Sequence, residues 1–112
     1  MTRKLIGTLL AIVLLSPASS FAEYKSIRGV GTASCGQWTA HRKQRDLLTS
    51  AFESWLMGYL SAFATWKEGG MEMLDATDNE AFVAWVSNYC EAHPLDSIDS
   101  AALSLISEMA RR

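Results

Sequence analysis

The sequence has few of the residues from which metal sites and catalytic centres are built. Among its 112 residues there are two cysteines and two histidines, and they lack the CxxC and HxxxH spacings typical of zinc sites. No Ser-His-Asp order, pair of acids or cofactor-binding loop rises above what chance would give. We therefore expect a protein that is not an enzyme, has no catalytic residue and binds neither a metal ion nor a cofactor.

The sequence also lacks an excess of basic residues. The full chain has 10 Lys and Arg against 12 Asp and Glu. Its one basic cluster is the short stretch HRKQR at residues 41–45, which is typical of a solvated helix surface. Proteins that bind nucleic acids usually carry a strongly basic face. We therefore expect no nucleic acid among the partners of this protein.

Long apolar runs are missing after the N-terminus. Two basic residues precede the apolar segment 5–15, and Ser20 and Ala22 supply small side chains at the −3 and −1 positions of a cleavage site. This order predicts a secretory signal peptide at residues 1–22. The apolar segment is shorter than the roughly 20 residues that a membrane-spanning helix needs. We expect a mature chain that begins near Glu23, resides in the periplasm and does not insert stably into the membrane.

The two cysteines, Cys35 and Cys90, are an even number in a chain expected to be exported, and this predicts a disulfide. Closing a loop of this length removes about 4 kcal/mol of unfolded-chain entropy. Two alternatives are less favoured. A catalytic dyad of Cys90 with His93 would need a free thiol in an oxidising compartment. A zinc site would need about four ligands, and the two cysteines with His41 and His93 lack the spacing of such sites.

Apolar residues recur at helical spacing and no strand pattern is present, so we predict an all-α fold. The expected domain covers residues 35–112 and is a small four-helix, orthogonal bundle-like domain stapled by one disulfide. An extended, flexible leader at residues 23–34 precedes it. The predicted helices begin at Ser34, at Asp46, at a Thr77–Glu80 capping box and at Asp96 or Ser97. Pro94 should end the third helix, because proline cannot continue it.

Aromatic residues concentrate on the second predicted helix at a spacing of three and four residues. Core packing is the favoured interpretation, and a cofactor box is the alternative. Gly58 within this helix predicts close approach of another helix, such as the one that carries Cys90. If the protein binds a protein client or partner through apolar side chains, the candidates are Trp38, Trp55, Tyr59, Phe63, Trp66 and Trp85.

The segment YCEAHP at residues 89–94 resembles the second-cysteine segment of the HdeA/HdeB-type periplasmic acid-stress proteins, particularly the HdeB branch. The first cysteine, the aromatic segment WLMGYL and the polar last helix follow the same order. The resemblance implies a helical periplasmic protein with a Cys35–Cys90 disulfide. It also implies an acid-activated holdase, a homodimer at neutral pH that loosens in acid and covers unfolding client proteins. The segment CGQWTAHR and the absence of a lysine-rich tail depart from that family.

A second resemblance is to the Tai-type immunity proteins, which neutralise amidase effectors of type VI secretion. These proteins are also exported, helical and disulfide-bonded, with a similar cysteine-to-proline spacing before the last helix. The resemblance implies a protein without chemistry of its own, one that uses a surface to plug the active site of a toxin.

The composition permits an acid switch. After removal of the signal peptide, 8 basic residues face 12 acidic ones. Below pH 3 the carboxylates are neutral and the imidazoles charged, so the net charge moves from about −4 to about +10. Repulsion on this scale can loosen a small domain. We predict His93 as a pH-sensing residue, because the dipole at a helix C-terminus favours the protonated imidazole.

Overall fold

The computed structural model describes residues 26–112, so the predicted signal peptide and the first three residues of the leader lie outside the described residues. A short 3-10 helix, Gly29–Thr32, comes first and is called the strap below. The helices that follow are α1 (Cys35–Gln44), α2 (Leu47–Trp66), α3 (Gly70–Asp75), α4 (Asn79–Ala92) and α5 (Ile98–Ala110). Within residues 26–112 β-pairing is limited to one isolated bridge between Ser34 and Ser97. The predicted all-α class is confirmed.

Side-chain caps fix where three helices begin. Ser34 accepts a hydrogen bond from the amide of Gln37 and so caps α1, as predicted. Asp46 accepts from the amide of Leu48 at the start of α2. The predicted capping box at Thr77 is wrong by one residue. Asp78 is the cap of α4 and accepts from the amide of Ala81 at 2.8 Å, because its carboxylate caps a helix at least as well as a threonine hydroxyl.

The connection predicted after α2 contains a further helix, α3, so the expected number of four helices is wrong for the described part of the chain. Gly69 adopts the left-handed conformation with φ 74° and reverses the chain after α2. Gly70 then lies directly against α2, since an added Cβ would come within 2.8 Å of the Cα of Ala64. The prediction that these glycines end α2 is wrong: α2 ends at Trp66, where Lys67 turns extended, and the two glycines begin a new helix.

The extended conformation predicted for the leader is wrong for the strap. Trp55 donates its indole N–H to the carbonyl of Arg28 at 2.9 Å. A Cβ added at Gly31 would lie 2.0 Å from the Trp55 ring. Only the missing side chain at Gly31 lets the backbone pass so close to the indole. The strap is thus folded onto α2.

The disulfide joins Cys35 and Cys90 as predicted, with their Cα atoms 4.6 Å apart. Both residues are fully buried and fasten α1 to α4. The loop after α4 completes this junction. The amide of Cys35 donates to the carbonyl of Asp96 at 2.7 Å, and the amide of Gly36 donates to the carbonyl of Pro94 at 2.9 Å. Pro94 ends α4 as predicted, and its carbonyl satisfies a free amide of α1.

The prediction for Gly58 is wrong. No atom lies within 4 Å of a Cβ added at this position, and the residue is exposed. The helix that carries Cys90 packs against α1 instead, through the disulfide and its surroundings.

Candidate functional site: an apolar groove between two helices

The candidate partner-binding aromatics fall into two groups. Trp38 is completely buried and donates its indole N–H to the Ser87 hydroxyl at 3.0 Å. Trp55 is held beneath the strap. Trp85 is half-buried and stacks on Tyr89 with ring centroids 5.7 Å apart. These tryptophans serve the packing of the folded domain.

The remaining three candidates, Tyr59, Phe63 and Trp66, line one groove between α2 and α5. The groove has a volume of about 480 Å³. Its other lining residues are Ala62, Lys67, Leu103 and Ile106. We call this surface the α2–α5 groove.

Helical spacing explains why these side chains meet. Tyr59, Phe63 and Trp66 are separated by four and three residues, so they lie on one face of α2. Leu60 and Ala64 lie on the adjacent face and are buried in the core. The aromatic face is therefore left beside the core, where α5 covers it in part.

Trp66 is the most exposed of these aromatics. It is the last residue of α2, and 89% of its surface is accessible to solvent. A tryptophan that is exposed to this degree gains little for the stability of its own domain. An exposed aromatic beside an apolar groove is typical of a surface that binds another protein.

The electrostatics of the groove leave it weakly charged. Lys67 at the end of α2 contributes a positive charge to the lining. Burial raises the pKa of the Tyr59 phenol, and the nearby carboxylate of Asp99 raises it further. Tyr59 therefore remains a neutral hydroxyl at physiological pH and in acid. The groove offers a mostly apolar wall with a hydroxyl and one cation.

A second, larger cleft between α2 and α4 differs in chemistry. It has a volume of about 680 Å³. Its lining is largely polar and includes the ion pair between Arg42 and Glu53 as well as Ser50 and Glu80. An apolar segment would lose hydrogen-bonding water there without burying much apolar surface. The α2–α5 groove is the better candidate for protein binding, although it is smaller.

The predicted pH-sensing residue, His93, is the C-terminal cap of α4 and does not line the groove. It is exposed, and its ring centroid lies 4.4 Å from that of Tyr89. The Tyr89 hydroxyl donates to Asp96 at 2.5 Å, and this bond raises the pKa of the tyrosine. His93 thus borders the loop that joins α4 to α5.

Sequence reasoning missed the role of the other histidine, His41. Its Nδ1 lies 2.6 Å from Oδ2 of Asp46, across the junction of α1 and α2. The signal available in the sequence was a capping aspartate that follows a basic helix end by a few residues. Of the six aromatic residues predicted to bind a partner, three line the groove and the other three pack within the domain.

Across residues 26–112 no three His, Cys, Asp or Glu side chains come together as potential metal ligands. None of the helices in this part of the chain is long and apolar enough to cross a membrane. Comparisons with protein-family models, curated proteins and solved structures give no match for this chain.

Proposed function

We propose that this protein is a periplasmic acid-stress holdase that binds unfolding client proteins through the α2–α5 groove. One observation carries the proposal: Tyr59, Phe63 and Trp66 together supply an aromatic wall to one open groove, in which Trp66 is largely exposed and the other two are partly buried. Unfolding proteins expose apolar side chains, and such side chains gain free energy when they leave water for an aromatic wall. The groove is too open and too weakly polar to suggest a reaction.

The charge of the protein supports activation in acid. Several carboxylates are paired with cations, including Glu53 with Arg42 and Glu108 with Arg111. The hydrogen bond from Arg111 lowers the pKa of Glu108, so this pair persists until the solution is strongly acidic. Protonation of these groups removes the pairs and leaves the cations unopposed. The disulfide would keep the loosened chain compact and competent to refold.

A homodimer at neutral pH would explain how the aromatic wall is kept from unwanted partners. In this proposal a second copy covers the α2–α5 groove near pH 7, and charge repulsion separates the two copies in acid. The signal peptide predicted at residues 1–22 would deliver the chain to the periplasm, where a disulfide can form.

Light scattering by an aggregation-prone client tests the proposal. The oxidised protein is mixed with the client at pH 7 and at pH 2–3, and scattering is compared with that of the client alone. We expect suppression of aggregation in acid and little at pH 7. Replacement of Phe63 and Trp66 by alanine should abolish the suppression. The control is Trp85→Ala, which removes an aromatic side chain outside the groove and should leave the suppression unchanged. Unchanged scattering at both pH values would exclude a holdase.

A second candidate function is that of an immunity or inhibitor protein that binds one secreted effector. The observation that favours it is that the folded domain already presents the groove, with no rearrangement needed. This alternative predicts a stoichiometric complex at pH 7 with a toxin encoded beside this chain. Gel filtration of the two purified proteins distinguishes the candidates, because a holdase binds many unfolded clients and no single folded partner.

A further inference from the structure

One carboxylate contacts both helices at the junction between α1 and α2. Asp46 lies between the two helices, and its Oδ1 accepts the amide of Leu48 at 3.0 Å. Its Oδ2 accepts a hydrogen bond from Nδ1 of His41, in the last turn of α1, at 2.6 Å. Arg45 beside it adopts the left-handed conformation with φ 51°. One side chain thus caps α2 and holds the end of α1.

This junction is connected to the core. The hydroxyl of Thr49 donates to the carbonyl of His41 at 2.9 Å, which adds a second link between the helices. The His41 ring lies 5.4 Å from the ring of Phe52, and Phe52 lies 6.1 Å from Trp38. Movement of His41 would therefore disturb the aromatic packing between α1 and α2.

The junction also concentrates positive charge. His41, Arg42, Lys43 and Arg45 all fall within five consecutive residues. The carboxylates that face them come from the junction itself and from α2 and α4. Asp46 lies at the junction, Glu53 on α2 pairs with Arg42 at 2.5 Å, and α4 supplies Glu80 and Glu91 to the clefts that contain these basic side chains.

Acid reverses this balance. Carboxylates lose their charge as the pH falls through about 4, whereas Arg and Lys keep theirs and imidazoles become charged. The basic segment of α1 would then hold four cations with no opposing charge nearby. Like charges this close repel one another strongly when counter-charges are absent.

We propose that His41 and Asp46 form an acid-labile latch between α1 and α2. Protonation of Asp46 opens the junction, while the Cys35–Cys90 disulfide keeps α1 on α4. The α1–α4 pair therefore stays together and α2 separates from it, which uncovers the aromatic packing around Phe52. This inference deepens the proposed acid-dependent function and rests on it for its biological purpose, but its test needs no client.

The expected pH range follows from the hydrogen bond. The His41 contact holds the pKa of the Asp46 carboxyl below its ordinary value of 3.8. Because the pKa is lower in the folded state, the latch stabilises the fold fully above the ordinary value. That stabilisation is lost as the pH falls through the lowered pKa. The latch is therefore closed at neutral and mildly acidic pH and opens in strong acid.

Asp46→Asn tests the latch, because asparagine caps a helix about as well as aspartate but carries no charge that acid can remove. Asp78→Asn is the matched control, since Asp78 caps α4 in the same way without a histidine contact. The midpoint of urea unfolding is followed by tryptophan fluorescence from pH 7 to pH 2. We expect Asp46→Asn to lower the midpoint at pH 7 and to flatten its decline below pH 4. Asp78→Asn should keep the steep decline of the unmodified protein.

A carboxyl-carbon NMR titration provides a second readout that does not depend on global stability. Asp46 should titrate below 3.8 in the unmodified protein and at a higher pH in His41→Phe, which keeps a ring against Phe52. Equal pH profiles for the two asparagine variants, or an Asp46 titration that His41→Phe leaves unchanged, would overturn the latch. If both tests support the latch but the protein does not suppress client aggregation, the holdase proposal is wrong and the latch stands.

Discussion

Trp38 and Trp66 are the same type of residue in two regions of the molecule with opposite environments. Trp38 belongs to the same buried core as the disulfide, is fully buried and has its indole hydrogen-bonded to Ser87. Trp66 ends α2 and is 89% exposed beside the α2–α5 groove. In the first region the ring is buried and its N–H is hydrogen-bonded, whereas in the second most of the ring surface stays accessible to solvent. The contrast separates a residue that stabilises the fold from a residue of the groove for which we propose client binding.

The sharpest test of the contrast is a pair of identical substitutions. Trp38→Ala leaves a cavity in the core and should cost about 3–5 kcal/mol of unfolding free energy. Trp66→Ala removes an exposed side chain and should change the unfolding free energy by less than about 0.5 kcal/mol. Urea unfolding followed by circular dichroism measures both. Equal losses of stability would show that the two regions do not differ in the way described.

Removal of the disulfide tests the buried region as a whole. Replacement of Cys35 and Cys90 by alanine should lower the unfolding free energy by about 4 kcal/mol, because the unfolded chain regains the entropy of a 55-residue loop. The thermal midpoint of the double variant measures the effect, and reduction of the unmodified protein with dithiothreitol serves as the control. A double variant as stable as the oxidised protein would mean that the bond is dispensable.

The boundary between the two regions lies at Trp55, which the strap covers and which stacks on Tyr59 with ring centroids 4.9 Å apart. Gly31→Ala should displace the indole and cost about 1–3 kcal/mol, because a Cβ has no room there. Gly58→Ala on the same helix is the control. It should stabilise the protein by up to about 1 kcal/mol, because it meets no atom and improves helix propensity. A neutral Gly31→Ala would show that the strap is loosely held.

The smallest effect is expected for the latch at neutral pH, where Asp46→Asn alters one partly exposed hydrogen bond between a carboxylate and an imidazole. The informative property of this variant is the pH dependence of its stability. The decline of stability below pH 4 should flatten in this variant, as measured by the unfolding midpoint at a series of pH values. A variant that declines as steeply as the unmodified protein would place the acid response elsewhere.

Much of the fold could be predicted from local sequence. The helical class follows from the spacing of apolar residues, the cap at Ser34 and the end of α4 at Pro94 follow from side-chain chemistry, and the disulfide follows from the count of cysteines. These features depend on residues close together in the sequence or, for the disulfide, on the number of cysteines. Gly58 shows the limit of such local reasoning. A glycine within a helix predicted close approach of another helix, but no atom lies within 4 Å of a Cβ added there.

The division of the aromatic residues could not be predicted in the same way. Periodicity places Tyr59, Phe63 and Trp66 on one face of α2, but it does not say where neighbouring helices stop covering that face. The strap and α3 depend on contacts of glycines with Trp55 and Ala64, which become visible only when the chain is folded. The pairing of His41 with Asp46 crosses a helix boundary, where helical spacing carries no information.

The most direct test of the central claim, that the α2–α5 groove binds client chains, uses the four tryptophan indoles as separate NMR probes. The oxidised, ¹⁵N-labelled protein is titrated with a permanently unfolded, reduced and alkylated protein at pH 7 and at pH 3. We predict that the indole signal of Trp66 shifts or broadens first in acid, while that of Trp38 responds last because its N–H is bonded to Ser87 of α4, which the disulfide holds to α1. Complex formation that leaves the Trp66 signal unchanged would contradict the assignment of the groove.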